Sequence, residues 1–476
     1  MSDLKILDFA VIIRNMVDLG KPDQFFKQDR AQEIFQEISG KETELFRVGN
    51  QVFRQVCSLA YQDIVHLELP DVQLLDYPKL SFMEDDKVIE LFEKGPLHTI
   101  NIWSALHRTG VLQSNMHIRF QKTSGYDVDE AIELIRLNLR PLAIKIPDQL
   151  CGKVELVAKD HKVRWIQSDK GTFLVGSLKD LTSELLRPLF IKYLRPFKLQ
   201  PLRDHRCISS TLIQIYETNP ACKSIEKFVR ADCYGKELRG LGALDRSYQA
   251  RTEAIIHDSF LNDLSVDEEV GVFTFGLSDL IIFDASFSEI VKDMYQQRKF
   301  ADPYGVVLYN SMHYSCLLEW VYLEKYLIDL YSRLLSRSIA KEKTTPEQML
   351  DIQKQSMHDL IAYQAGITPY PSREEFLEKA RDAHRVPEMQ ENLEKKRDLA
   401  TDYVIQEYTL RTNKSIQLVN IFISATAAFG LMEVVLSIEQ GNGDKMMWGI
   451  LTAALFLMTL LILWGINKVL MLRNKS

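Results

Sequence analysis

The chain has 476 residues, of which 46% are hydrophobic and 26% charged, with a net charge of -7. That mild acidity argues against a dedicated nucleic-acid binder, which would carry a basic excess, so no direct nucleic-acid partner is expected. The six cysteines, at 57, 151, 207, 222, 233 and 316, form no C-x-x-C pair, which disfavours a disulfide framework or a zinc site.

In chain order, Asp3, Lys5 and Asp8 interrupt the only short apolar run at the N-terminus, so no export signal is read there. Residues 1–115 read as a helical N-terminal region, with apolar residues at helical spacing over Ala31–Ile38 and Glu42–Leu69. From 116 the pattern becomes mixed. Met116–Gln121, Leu142–Ile146, Val154–Ala158, Val163–Gln167 and Thr172–Val175 are strand-like, and Val270–Phe275 with Leu280–Phe283 resembles a hairpin around Gly276. The expectation for 116–310 is a cytosolic α/β sensor domain.

Residues 311–415 read as a helical stalk. Thr345-Pro-Glu-Gln348 and Ser372-Arg-Glu-Glu375 are candidate helix starts. No Pro or Gly interrupts the run between Pro387 and Gly430, which predicts one very long helix.

Two C-terminal segments, 416–438 and 446–467, are long and apolar enough to be transmembrane helices, each supplying the ~20 residues a bilayer crossing takes. An external loop, 439–445, would join them, and 468–476 would be a tail. Arg411 and Lys414 precede the first segment, and Lys468, Arg473 and Lys475 follow the second, so both termini are expected in the cytoplasm. The fold class expected is therefore an α+β membrane protein: a cytosolic α/β domain, a long helical stalk and two transmembrane helices. Its expected location is the inner (plasma) membrane, with the lipid bilayer as a partner.

Asn413, Gln417, Asn420 and Ser424 fall on one helical face, which Ala427 and Leu431 extend. Amides in hydrocarbon need partners or water, so several copies could enclose a pore with this face inward; the alternative is that the amides hold two helices together. Glu433 could ring an outer mouth or reach the interface as a lone carboxylate.

This layout resembles the CorA family of magnesium channels. The family's Gly-Met-Asn signature, normally after an aromatic residue, is only partly matched by Phe429-Gly430-Leu431-Met432, with Glu433 beside it. The resemblance implies a homo-oligomer, a pentamer in the family pattern, and magnesium or another divalent cation as permeant ion. CorA-like chains lacking the signature resemble membrane effectors of type III CRISPR defence, switched by nucleotide-derived ligands. The resemblance thus implies a channel or channel-like effector gated on its cytosolic domain. A constitutive magnesium transporter and a membrane-tethered scaffold without a pore are the alternatives.

Such an effector needs a site for a small anionic ligand. Arg187, Lys192, Arg195, Lys198, Arg203, His205 and Arg206 cluster in sequence with Asp204 the only acid among them, and Arg binds phosphate bidentately. Lys236, Arg239 and Arg246 are a second candidate, and a solvated or domain-packing face is the alternative for both. No P-loop, H-E-x-x-H or G-x-S-x-G motif is present, so no enzyme is expected. Asp85-Asp86 and Asp267-Glu-Glu269 could hold a hydrated divalent cation, or could be solvated loops.

Overall fold

The computed structural model describes residues 3–21, 44–59, 63–77, 79–95, 97–151, 163–276, 278–287, 290, 303–340, 345–364 and 366–439. The strands are β1 (Lys5–Asp18), β2 (Ile64–Leu75), β3 (Leu97–His107), β4 (Val111–Asp127), β5 (Leu142–Ile146), β6 (Arg164–Ser168), β7 (Gly171–Gly176), β8 (Cys207–Asn219), β9 (Val270–Thr274) and β10 (Ser278–Phe283). They form one sheet in the order β6-β7-β5-β2-β3-β4-β1-β8-β10-β9. Neighbours run antiparallel, except that β10 lies parallel to β8. The longer helices are α1 (Glu44–Val56), α2 (Asp85–Lys94), α3 (Val128–Ile135), α4 (Arg187–Leu194), α5 (Gly235–Ala243), α6 (Glu253–Phe260), α7 (Pro303–Ala340), α8 (Pro346–Gln364), α9 (Pro371–Ala383) and α10 (Val386–Glu439).

The period-2 geometry of a strand sends alternate residues of β1 to opposite faces of the sheet. Phe9, Val11, Ile13 and Val17 enter the main apolar core, together with residues of α3, α4, α5 and α6. Arg14 points the other way, where its Nη2 donates to Ser315 Oγ of α7 at 2.8 Å. Its cross-strand neighbours are Asn115 and Ser210, so this second face is polar although buried. His66 Nε2 meets Glu319 Oε1 at 3.1 Å, and Tyr322 OH donates to Asp279 Oδ2 at 2.8 Å. Buried polar groups require such partners. The apolar bulk of the layer comes from α7, whose Trp320, Tyr326 and Tyr331 are fully buried, with Phe53 of α1 stacked on Trp320.

The chain divides into two compact units, one of residues 1–341 with 351–397 and one of residues 342–350 with 398–476. In the second, Thr345 and Gln348 form a reciprocal cap: Gln348 N donates to Thr345 Oγ1 and Thr345 N to Gln348 Oε1. Tyr408 OH donates to Glu347 Oε1 at 2.8 Å.

Several expectations are corrected here. Among the described residues no helix is long and apolar enough to cross a membrane. The membrane fold class and the multi-pass, plasma-membrane location fall with that finding. The second expected span, 446–467, and the tail 468–476 lie outside the described residues, as does the expected loop beyond Glu439. The helical region expected over 1–115 contains β1, β2 and β3. β1 is a central strand covered on both faces, so it lacks the polar alternation that marks a half-exposed strand. The expected stalk is also corrected: most of α7 and all of α9 pack within the unit that holds the sheet.

Candidate anion-binding cleft

A cleft of about 1330 Å³ is walled by strand ends and the loops that follow them. β8 contributes Cys207, Ser209 and Thr211, and β10 contributes Ser278. Register explains this wall, because Thr211 pairs with both Ile13 and Ser278 and so shares their face. The remaining walls come from 138–141, from Val163 and Arg164, and from the turn leaving β7.

That turn is built by a capping box. Ser177 Oγ accepts from Asp180 N at 3.1 Å, while Asp180 Oδ2 accepts from Ser177 N and from Ser177 Oγ, each at 2.8 Å. The turn is fastened to the sheet as well: Asn15 Nδ2 donates to Leu178 O at 3.1 Å, and Ser209 Oγ donates to Asn15 Oδ1 at 2.5 Å. The backbone on either side of Lys179 is therefore fixed, and its ammonium extends from an exposed position on the cleft wall.

Among the described residues three cations line the cleft, Arg140, Arg164 and Lys179, with one carboxylate, Asp180. Asp180 is already engaged in its cap. Arg140 pairs with Asp76 and, at 3.7 Å, with the Glu133 carboxylate, and donates to Glu133 O at 3.2 Å, while its buried Nε has no partner among the described residues. Burial raises the Asp76 carboxyl above its ordinary range, against the pull of Arg140 and His98. Arg164 donates to Met83 O at 2.6 Å and Leu80 O at 3.2 Å, with Asp85 3.6 Å from Nε. Lys179 forms no ion pair among the described residues. Asn138 Oδ1 is buried without a partner among the described residues. Burial pushes the Cys207 thiol up to about 12 despite Lys179 and Arg187, so it stays protonated at neutral pH and is a poor nucleophile.

None of the seven basic residues expected to bind a ligand lines this cleft. Arg187 is buried and donates to the carbonyls of His205 and Arg206, at 3.0 and 3.3 Å. Arg203 is drawn inward to Asp18, Thr109 O, Tyr331 and Asp359. Lys192, Arg195, Lys198, His205 and Arg206 are exposed, and Lys198 has a left-handed backbone with φ of 51°. In the second candidate set, Arg239 is paired with Asp245 and Arg246 with Glu133.

Asn413, Gln417, Asn420, Ser424 and Ala427 are exposed on α10, and Gly430 is half-buried there. Phe429, Leu431 and Glu433 lie on the helix, but their side chains are outside the described set. Asp85 faces Arg164, and Asp267 accepts from Tyr314 OH at 2.6 Å. Among the described residues no group of three or more His, Cys, Asp or Glu could hold a metal ion.

Sequence reasoning missed Arg140, Arg164 and Lys179 because each is a lone cation on a different segment. Only Ser177-Leu-Lys-Asp180 carried a local signal, that of a helix cap. No family model matches the chain, and no curated protein matches it.

Proposed function

We propose that this chain is a ligand-sensing binding protein whose cleft takes a small, phosphorylated, nucleotide-derived anion. The carrying observation is the basic lining: among the described residues Arg140, Arg164 and Lys179 line the cleft with one carboxylate, Asp180, and while Arg140 is paired with Asp76 and Arg164 faces Asp85, Lys179 forms no ion pair among them. Guanidinium and ammonium groups are standard donors for phosphate oxygens. At about 1330 Å³ the cleft exceeds the ~300–1,000 Å³ of common small-molecule pockets, which suits a ligand of nucleotide size or larger. Binding rather than catalysis is favoured, since among the described lining residues Cys207 is held protonated and Asp180 is engaged in its cap. A bilayer pore needs spans that no described helix supplies, so the function proposed is sensing alone.

The test is calorimetric titration of inorganic tripolyphosphate into the full chain and into Lys179→Glu. Binding by the parent chain, weakened tenfold or more by the charge reversal, supports the reading. No binding, or equal binding by both proteins, overturns it.

A second observation bears on assembly. On α10, Leu418, Val419, Ile421, Phe422 and Ile423 are between 41% and 67% exposed, covering most of the helix circumference. An apolar surface of that breadth is costly in water. The stripe of Asn413, Gln417, Asn420 and Ser424 along the same helix supplies donors and acceptors that a second copy could satisfy reciprocally. We propose that the protein works as a homo-oligomer associated through α10.

A further inference from the structure

A second cavity, of about 510 Å³, adjoins the cleft and shares Ser81, Arg140 and Pro141 with it. Its remaining wall includes Tyr77, Lys79 and Phe82. Phe82 is 89% exposed, more than any other large hydrophobic residue among those described, and Tyr77 is 41% exposed.

The exposure of Phe82 is imposed by its neighbours. Leu80 is buried in a small core with Val88, Phe92 and Phe173, and Met83 packs against the same core. The Arg164 guanidinium holds the carbonyls of Leu80 and Met83 from within, at 3.2 and 2.6 Å. Phe82 N donates to Lys79 O at 2.9 Å, and Met83 N to Leu80 O at 3.2 Å. Lys79 takes a left-handed φ of 66°, which a non-glycine residue adopts at some cost. The turn is thus anchored on both sides, which fixes the backbone that carries the aromatic ring. A solvent-facing ring on an anchored turn, beside Lys79 and the Asp76-paired Arg140, is an arrangement that stacks a nucleobase while the phosphates are held alongside.

Resting on the reading of the cleft as a phosphate site, we infer that Phe82 and Tyr77 form an aromatic subsite for the base of a nucleoside polyphosphate. The phosphates of that ligand extend past Arg140 toward Lys179. Arg140 serves both compartments, because it lines each of them.

The experiment compares ATP with inorganic tripolyphosphate, both titrated calorimetrically into the full chain in the presence of EDTA. The two differ by the nucleoside, so they separate base recognition from phosphate recognition. The expected result is tighter binding of ATP by the parent chain. Phe82→Ala should lose about tenfold in ATP affinity, while its affinity for tripolyphosphate and its thermal midpoint stay unchanged. Phe82→Tyr should retain ATP binding. If Phe82→Ala binds ATP as the parent does while Lys179→Ala weakens both ligands, the aromatic subsite is overturned and the phosphate cleft stands. If neither ligand binds the parent chain, both fall.

Discussion

Arg203 and Asp18 form a buried ion pair, with Arg203 Nε donating to Asp18 Oδ1 at 2.9 Å and the Arg203 backbone N donating to Asp18 Oδ2 at 2.5 Å. The same guanidinium reaches Thr109 O at 2.6 Å, Tyr331 OH at 3.0 Å and Asp359 Oδ2 at 3.4 Å, and Lys21 Nζ donates to Asp359 Oδ1 at 2.6 Å. One side chain thereby ties β1 and the loop after β3 to α7 and α8. Burial alone would raise the Asp359 carboxyl, but Lys21, Tyr331 and Arg203 together hold it below its ordinary range.

Removing one partner of this pair strands a buried charge. Asp18→Ala should destabilise the protein by about 3–5 kcal/mol. The measurement is the shift in urea midpoint at constant slope. A shift under ~1 kcal/mol would show that the pair carries little of the packing between the sheet and α7.

Two buried histidines make stability depend on acid. Burial, aided by Arg108, pushes His107 down to about 3, and burial with Arg119 pushes His117 down to about 4. Both are neutral in the fold, whereas the unfolded chain takes up their protons below about pH 6.5. The unfolded state therefore binds more protons in that window, so stability is fully present above pH 6.5 and is lost as pH falls toward 4 and then 3. The loss at pH 5 relative to pH 7 should be on the order of 2 kcal/mol per histidine. Urea midpoints at the two pH values check this, and His107→Gln should flatten part of the slope.

Self-association through α10 predicts a concentration-dependent mass. Sedimentation equilibrium should give an oligomer for the parent chain and a smaller species for a Leu418→Ser, Ile421→Ser double variant, with the sheet's unfolding midpoint unchanged because the two sites lie outside its unit. An unaltered mass would place the contact elsewhere.

The elements legible in the sequence are those whose chemistry is local. Thr345 and Gln348 form the reciprocal cap that their spacing suggests. β5 runs over Leu142–Ile146 as its β-branched pattern predicts, and β9 and β10 form the expected hairpin. Ser372 misled, because α9 starts at Pro371 after Tyr370 and leaves Ser372 inside the helix. β8 escaped notice, since Cys207, Ser209 and Thr211 look like loop residues until pairing with β1 fixes their faces. The cleft was illegible for the same reason. Arg140, Arg164 and Lys179 are brought together by the order β6-β7-β5 in the sheet and by the cap at Ser177, which only the folded chain reveals. Arg187 and Arg203 looked available for a ligand because proximity in sequence does not reveal that carbonyls and carboxylates from distant segments take up their guanidinium groups.

Charge on the cleft wall also predicts a salt response. Exposed Lys179 interacts with a polyanion through solvent, where screening acts within ~10 Å at 0.1 M salt. Tripolyphosphate affinity should fall several-fold between 50 and 300 mM NaCl, and Lys179→Ala should reduce that slope. An affinity independent of salt would argue that binding is not governed by these cations.

The most direct measurement is the structure of the full chain determined with tripolyphosphate bound. Phosphate density between Lys179 and the Arg140 side of the cleft is the predicted result. An empty cleft with the anion seated at Arg195, Lys198 or Arg206 would contradict the account.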